Sequence, residues 1–95
     1  MIRVVATLVA QPGKEEALQQ ALLPLIDATR QEAGCIAYEL HQPLGNTTEF
    51  VFIETWADQA ALESHGKTPH IQQFRALAKE LLAAPMQISF LSKIY

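Results

Sequence analysis

The sequence predicts an α+β protein built on a four-stranded antiparallel sheet with its helices on one face. Three observations predict it. Apolar residues alternate at the strand period in some segments and recur at the helical period in others. These segments follow one another as β, α, β, β, α, α, β, with Gly, Pro and Asn between them. The chain has 95 residues, which suits one domain over positions 1–95, because independently folding units run from roughly 50 to 250 residues. Two right-handed βαβ crossovers fused through a hairpin then give the ferredoxin-like arrangement.

Each element has its own warrant. From Ile2 to Ala10, Ile2, Val4, Ala6 and Leu8 take one face and Val5, Thr7 and Val9 the other, so the first strand reads as covered on both sides. Gln11-Pro12-Gly13 breaks it. From Lys14 the stripe Ala17, Leu18, Ala21, Leu22, Leu25 and Ile26 has helical spacing, and Pro24 inside it predicts a kink, since proline removes a backbone donor and crowds the preceding turn. Gly34 suits the left-handed position that closes the helix. Cys35 to Gln42 alternates Ile36, Tyr38 and Leu40 against Cys35, Ala37, Glu39 and His41, and Pro43-Leu44-Gly45-Asn46 supplies turn residues. Glu49 to Trp56 is a third strand, with Phe50, Phe52, Glu54 and Trp56 on one face and Val51, Ile53 and Thr55 on the other. Asp58 caps a short helix carrying Ala61, Leu62 and His65 that ends near Gly66. Thr68-Pro69 repeats the signal for a last helix with the stripe Ile71, Phe74, Leu77, Ala78, Leu81 and Leu82. Ala84-Pro85 stops it, and Met86 to Ile94 alternates as the fourth strand. Because strands one and three are apolar on both faces and the helices cover only one, the open face calls for a second copy of the same sheet, hence a homodimer.

Composition narrows the function classes. Hydrophobic residues make up 49% and charged ones 18%, far from the corner in which chains stay disordered. Seven Lys and Arg against ten Asp and Glu give a net charge of −3, and the basic residues are scattered, so nucleic acid and anionic membrane are poor partners. No apolar run approaches the roughly 20 residues that span a bilayer, and the first residues lack a signal-peptide pattern, so the expected location is the cytoplasm. The single cysteine, Cys35, fits a reducing compartment. It follows a helix end whose dipole opposes a thiolate, which gives it a structural role.

Several short pieces, in order and spacing, resemble the antibiotic biosynthesis monooxygenase family. They are Pro12-Gly13-Lys14 after the first strand, Glu32-Ala33-Gly34-Cys35 at the next junction, Tyr38 and Glu39, Glu54-Thr55-Trp56, Ala61-Leu62-Glu63-Ser64-His65, and Thr68-Pro69-His70 with Phe74. The resemblance spans nearly the whole chain. It implies a dimeric α+β barrel whose two sheets pack face to face, with a substrate cavity between sheet and helices in each subunit. Activities of similar proteins divide into cofactor-independent oxygenation of quinol-like or polyketide aromatics, haem degradation, and isomerisation of a phosphorylated signal molecule. The haem branch matches poorly: its pattern needs an asparagine on the first strand with the Trp and His, and Ala6 and Thr7 stand there.

Among residues able to carry chemistry, His65 follows Ala61 and Leu62 at i+4 and i+3 and so faces inward. It is either a buried histidine satisfied by a carbonyl or, as its match to the family's histidine implies, a general base for a phenolic or enolic proton. His70, at the second position of the last helix, is either a half-solvated helix-start residue or part of an anion site. Glu54 lies among Phe50, Phe52 and Trp56, where a carboxylate is costly unless paired; it orients His65, binds a substrate hydroxyl, or bridges to Arg75. Trp56 is core or one wall of a flat pocket to which Tyr38 adds a phenol. His41, His65 and His70 lack metal-ligand spacing, and neither a phosphate-cradling glycine run nor a dinucleotide fingerprint is present, so no metal and no cofactor are expected. An oxygenase built this way uses its electron-rich substrate as reductant for dioxygen.

Three functions compete. The leading one is a cofactor-independent monooxygenase of a quinol or related hydroxylated aromatic, with His65 as base, Trp56, Phe50 and Phe52 as walls, and Glu54 or His70 positioning oxygens. A second is an isomerase of a small, phosphorylated hydroxyketone using His65 and His70 as base and acid. A third is a non-catalytic dimeric module that binds a metabolite.

Overall fold

The computed structural model describes residues 1–95. Its elements are β1 (Ile2–Val9), α1 (Glu15–Thr29), β2 (Cys35–His41), β3 (Glu49–Trp56), α2 (Gln59–His65), α3 (Pro69–Leu81) and β4 (Gln87–Leu91). All pairings are antiparallel, in the order β2-β3-β1-β4. This is the ferredoxin-like α+β architecture expected from the element order.

Strand alternation decides what is buried. Val4, Ala6 and Leu8 of β1 face the helices beside Phe50, Phe52 and Glu54 of β3, the register pairing Val4 with Glu54, Ala6 with Phe52 and Leu8 with Phe50. From the helical side, Leu18, Leu22, Leu25 and Ile26 of α1 and Ile71 and Phe74 of α3 close the core. Each fully buried Leu or Phe stabilises the fold by about 1.5–3 kcal/mol relative to exposure. On the other sheet face Val5, Thr7, Val9, Val51 and Thr55 are only half-buried and Ile53 is exposed, so the chain alone leaves that face without cover.

The structure departs from these expectations at several points. A β-bulge lies between Cys35 and Ala37, so Cys35 pairs with Trp56 and Ala37 with Thr55. Cys35 therefore packs against the core, whereas Ile36, expected on the Tyr38 face, is the extra residue and is exposed. β4 is shorter than the alternating segment Met86 to Ile94, and all five of its residues are exposed, because it is an edge strand beyond the reach of the helices. Leu77, assigned to the α3 stripe, is exposed as well. α1 runs through Pro24 as one helix, held by the buried stripe on either side.

Candidate active site

Glu32 sits in the turn after α1, fixed from both sides: its N–H donates to the Thr29 carbonyl at 3.0 Å and its carbonyl accepts from Cys35 N–H at 3.2 Å. Two residues on, Gly34 adopts φ +84°, and a Cβ built there would lie 2.5 Å from Ala61 Cβ. Glycine thus lets the turn lie directly on α2, a contact sealed by Ala57 N–H donating to the Gly34 carbonyl at 2.8 Å. His65 ends α2. Thr68 joins it to α3, donating through Oγ1 to the His65 carbonyl at 2.8 Å and accepting from Ile71 N–H at 3.4 Å. His70 follows in the first turn of α3.

These three elements converge on one oxygen. His65 Nδ1 donates to Glu32 Oε2 at 2.8 Å, and His70 Nε2 donates to the same atom at 2.6 Å. An ionised carboxylate only accepts hydrogen bonds, so it selects the tautomers that carry a proton on those nitrogens. In neutral His65 the remaining nitrogen, Nε2, is then a bare acceptor. The ring is held by Trp56, tilted at 4.7 Å between centroids, and by the edge of Tyr38 at 5.7 Å.

A cavity of about 260 Å³ opens between the sheet and the helices. Its sheet wall includes Tyr38, Phe52 and Glu54, its helix wall Leu62, His65 and Phe74, and its outer lip Ile88 and Phe90 of β4. Trp56 Nε1 donates to Glu54 Oε1 at 2.9 Å, which supplies a neutral partner and no countercharge. Burial therefore raises the Glu54 carboxyl above the ordinary carboxylate range; the indole N–H opposes this and the charge of Glu32 adds to it. Burial, followed by the Glu54 charge, also pushes the Tyr38 phenol far upward, so Tyr38 is present as a neutral donor. The Cys35 thiol is raised by burial and then by Glu32, consistent with a structural residue.

Of the expected site residues, Glu54, His65, Phe52 and Tyr38 border the cavity. Trp56 and Phe50 do not: both are buried behind its wall, so Trp56 buttresses His65 and binds Glu54 instead of walling a ligand. His70 is outside the lining and is taken up by Glu32. Glu54 neither orients His65 nor bridges to Arg75, whose Nη1 donates to the Gly66 carbonyl at 3.2 Å. Glu32, quoted above only as part of a resemblance, holds His65. Two of the three histidines that lack ligand spacing along the chain, His65 and His70, are brought by the fold onto one carboxylate, while His41 meets Glu39; Glu32, His65 and His70 offer ligand atoms within 4.8 Å of one another.

Residues 1–77 match the family described as Antibiotic biosynthesis monooxygenase. The chain belongs to that family. Within this monooxygenase family, YcnE of Bacillus subtilis is 36% identical over 93% of this chain and 93% of its own length. Rv0793 of Mycobacterium tuberculosis is 31% identical over 98% of this chain and 91% of its own. Both names class the protein provisionally as a monooxygenase and give no substrate. Among solved structures, PA3566 from Pseudomonas aeruginosa superposes with a TM-score of 0.92 at 38% identity, over 99% of this chain and 94% of that one. A crystal structure titled antibiotic biosynthesis monooxygenase gives 0.93 at 28% identity over the full length of both. The family's fold and its monooxygenase-like character carry over to this chain. No helix is long and apolar enough to cross a membrane.

Proposed function

We propose that the chain is a cofactor-independent monooxygenase of a quinol or related hydroxylated aromatic, working as a homodimer. The observation that carries this reading is the 2.8 Å contact of His65 Nδ1 with Glu32 in a residue that lines an apolar cavity: an ionised carboxylate assigns the proton to Nδ1 and leaves Nε2 of the neutral ring as a base. The cavity has room for an aromatic of one or two rings, with Phe52 and Phe74 offering flat contacts. His65 removes the hydroxyl proton. The resulting electron-rich anion reduces dioxygen, and a bond forms between a ring carbon and one oxygen atom. The O–O bond then breaks; one oxygen stays on the ring as a hydroxyl and the other leaves as water. The substrate supplies all four electrons, two as the ring C–H becomes C–OH and two as the two quinol hydroxyls become carbonyls, so a quinol and dioxygen give a hydroxyquinone and water. Glu54, whose carboxyl keeps its proton above the usual range, hydrogen-bonds a substrate or peroxide oxygen.

An isomerase would need His70 at the substrate, and its Nε2 is instead committed to Glu32. The test is oxygen uptake with menadiol and related quinols. His65→Ala is expected to keep its fold and to lose about 10²- to 10⁴-fold in turnover. Undiminished uptake by a folded His65→Ala protein would remove His65 from the chemistry.

A further inference from the structure

Glu32 is a half-buried carboxylate with no Lys or Arg within ion-pair distance; its only charged or chargeable partners are the two imidazoles. Its charge reaches outward, helping to hold protons on Cys35, Tyr38 and Glu54. Two imidazole nitrogens and one carboxylate oxygen, from three separate elements, already converge within 4.8 Å. The side chains of His65, Glu32 and His70 are 10, 12 and 22% exposed, sheltered enough to fix their rotamers and open enough for an ion and its water to enter. Glu32 Oε1 makes no hydrogen bond within the protein and is free to turn toward an ion. The backbones that carry the three are pinned by Thr68, by Gly34 against Ala61, and by the turn after Thr29, so little ordering is left to be done on binding.

We infer that Glu32, His65 and His70 form a binding site for one divalent transition-metal ion of the zinc class per chain. Two imidazoles with a single carboxylate suit borderline ions such as Zn²⁺, Co²⁺ or Ni²⁺; Mg²⁺ and Ca²⁺ prefer sets made of oxygens. In the metal-free form the two N–H···O bonds occupy the position of the ion. Metal–nitrogen and metal–oxygen bonds of about 2.0–2.2 Å require Glu32 Oε2 to withdraw slightly as each neutral imidazole gives up the proton of its bonded nitrogen to solvent and takes one from solvent on its other nitrogen. Water fills the remaining positions. A consequence follows that rests on the function proposed above: a neutral His65 bound through Nδ1 carries its proton on Nε2. The cavity then meets a donor where it had a base, and the bound ion inhibits oxygenation.

Binding is tested separately from activity. Purified protein stripped with chelator is titrated with Co²⁺ and followed by its visible d–d absorption, then with Zn²⁺ by calorimetry. One equivalent per chain is expected, with Zn²⁺ displacing Co²⁺ and millimolar Mg²⁺ failing to compete. Glu32→Gln and His70→Asn should each abolish saturable binding; His70 is the more exposed, so His70→Asn keeps the test open if the Glu32 variant does not fold. Absence of saturable binding by the parent protein, binding that survives both substitutions, or equal competition by Mg²⁺ would overturn the site. If binding is confirmed while menadiol uptake is absent, the metal site stands and the oxygenase reading falls.

Discussion

Glu54 is where pH acts most visibly on this molecule. Burial leads in keeping its folded-state proton affinity above the ordinary value of 4.5. Between the unfolded and folded values the native form holds more protons, so the contribution of Glu54 to stability is fully present below the unfolded value and is lost as pH rises through the folded one. Glu54→Gln keeps an acceptor for the Trp56 indole and removes this dependence. Denaturation midpoints of parent and variant should therefore diverge in the variant's favour as pH rises from 4 toward 8; parallel profiles would show that the carboxyl is not desolvated as described. The inward aim of His65 and Glu54 was legible from helix spacing and strand parity. Parity assigns a face and not a depth, which is why Trp56 and Phe50 could not be separated in advance from the true lining residues. Glu32 was illegible for another reason: it lies in an aperiodic turn, and its partners are 33 and 38 positions away in sequence.

Between elements, one glycine sets the geometry of the site. Gly34 combines a left-handed backbone with a close approach to Ala61, and the turn it ends carries Glu32 to His65. Gly34→Ala should destabilise by about 1–3 kcal/mol through strain and overpacking. Adding Ala61→Gly removes the contact but not the backbone cost, so a double-mutant cycle by urea denaturation should recover at least about 0.5 kcal/mol of coupling. Strict additivity would leave only the backbone term. The sequence made this glycine conspicuous but not its neighbour, because the α1–β2 junction meets α2 only in three dimensions. The bulge at Ile36 was hidden for a related reason. No glycine or proline marks it, and Ile36 extends the alternation of Tyr38 and Leu40 without any visible interruption.

For the whole molecule, element order was enough to give the sheet topology, since chain connectivity leaves few ways to cover one face of four antiparallel strands. The uncovered face, with Ile53 exposed among half-buried Val5, Val9 and Val51, underlies the expectation of a homodimer with a total interface of about 2,000 Å² or more. Light scattering at micromolar concentration should give twice the chain mass, and Ile53→Arg should shift it toward one; a parent protein that is monomeric under these conditions would disprove the pairing. β4 adds a question of time. It is joined to the sheet only through β1, all its residues are exposed, and yet its Ile88 and Phe90 form the lip of the cavity. Strands held at one edge open at lower free energy than the core to which they are attached. Hydrogen exchange should therefore find β4 amides opening without global unfolding, while those of β1 and β3 wait for it. Loss of protection in all three strands at one common rate would contradict this. The doorway is thus built from the part of the sheet expected to detach first, so that a ligand would enter and leave on the clock of one fraying edge while His65, Glu54 and the core behind them stay in place.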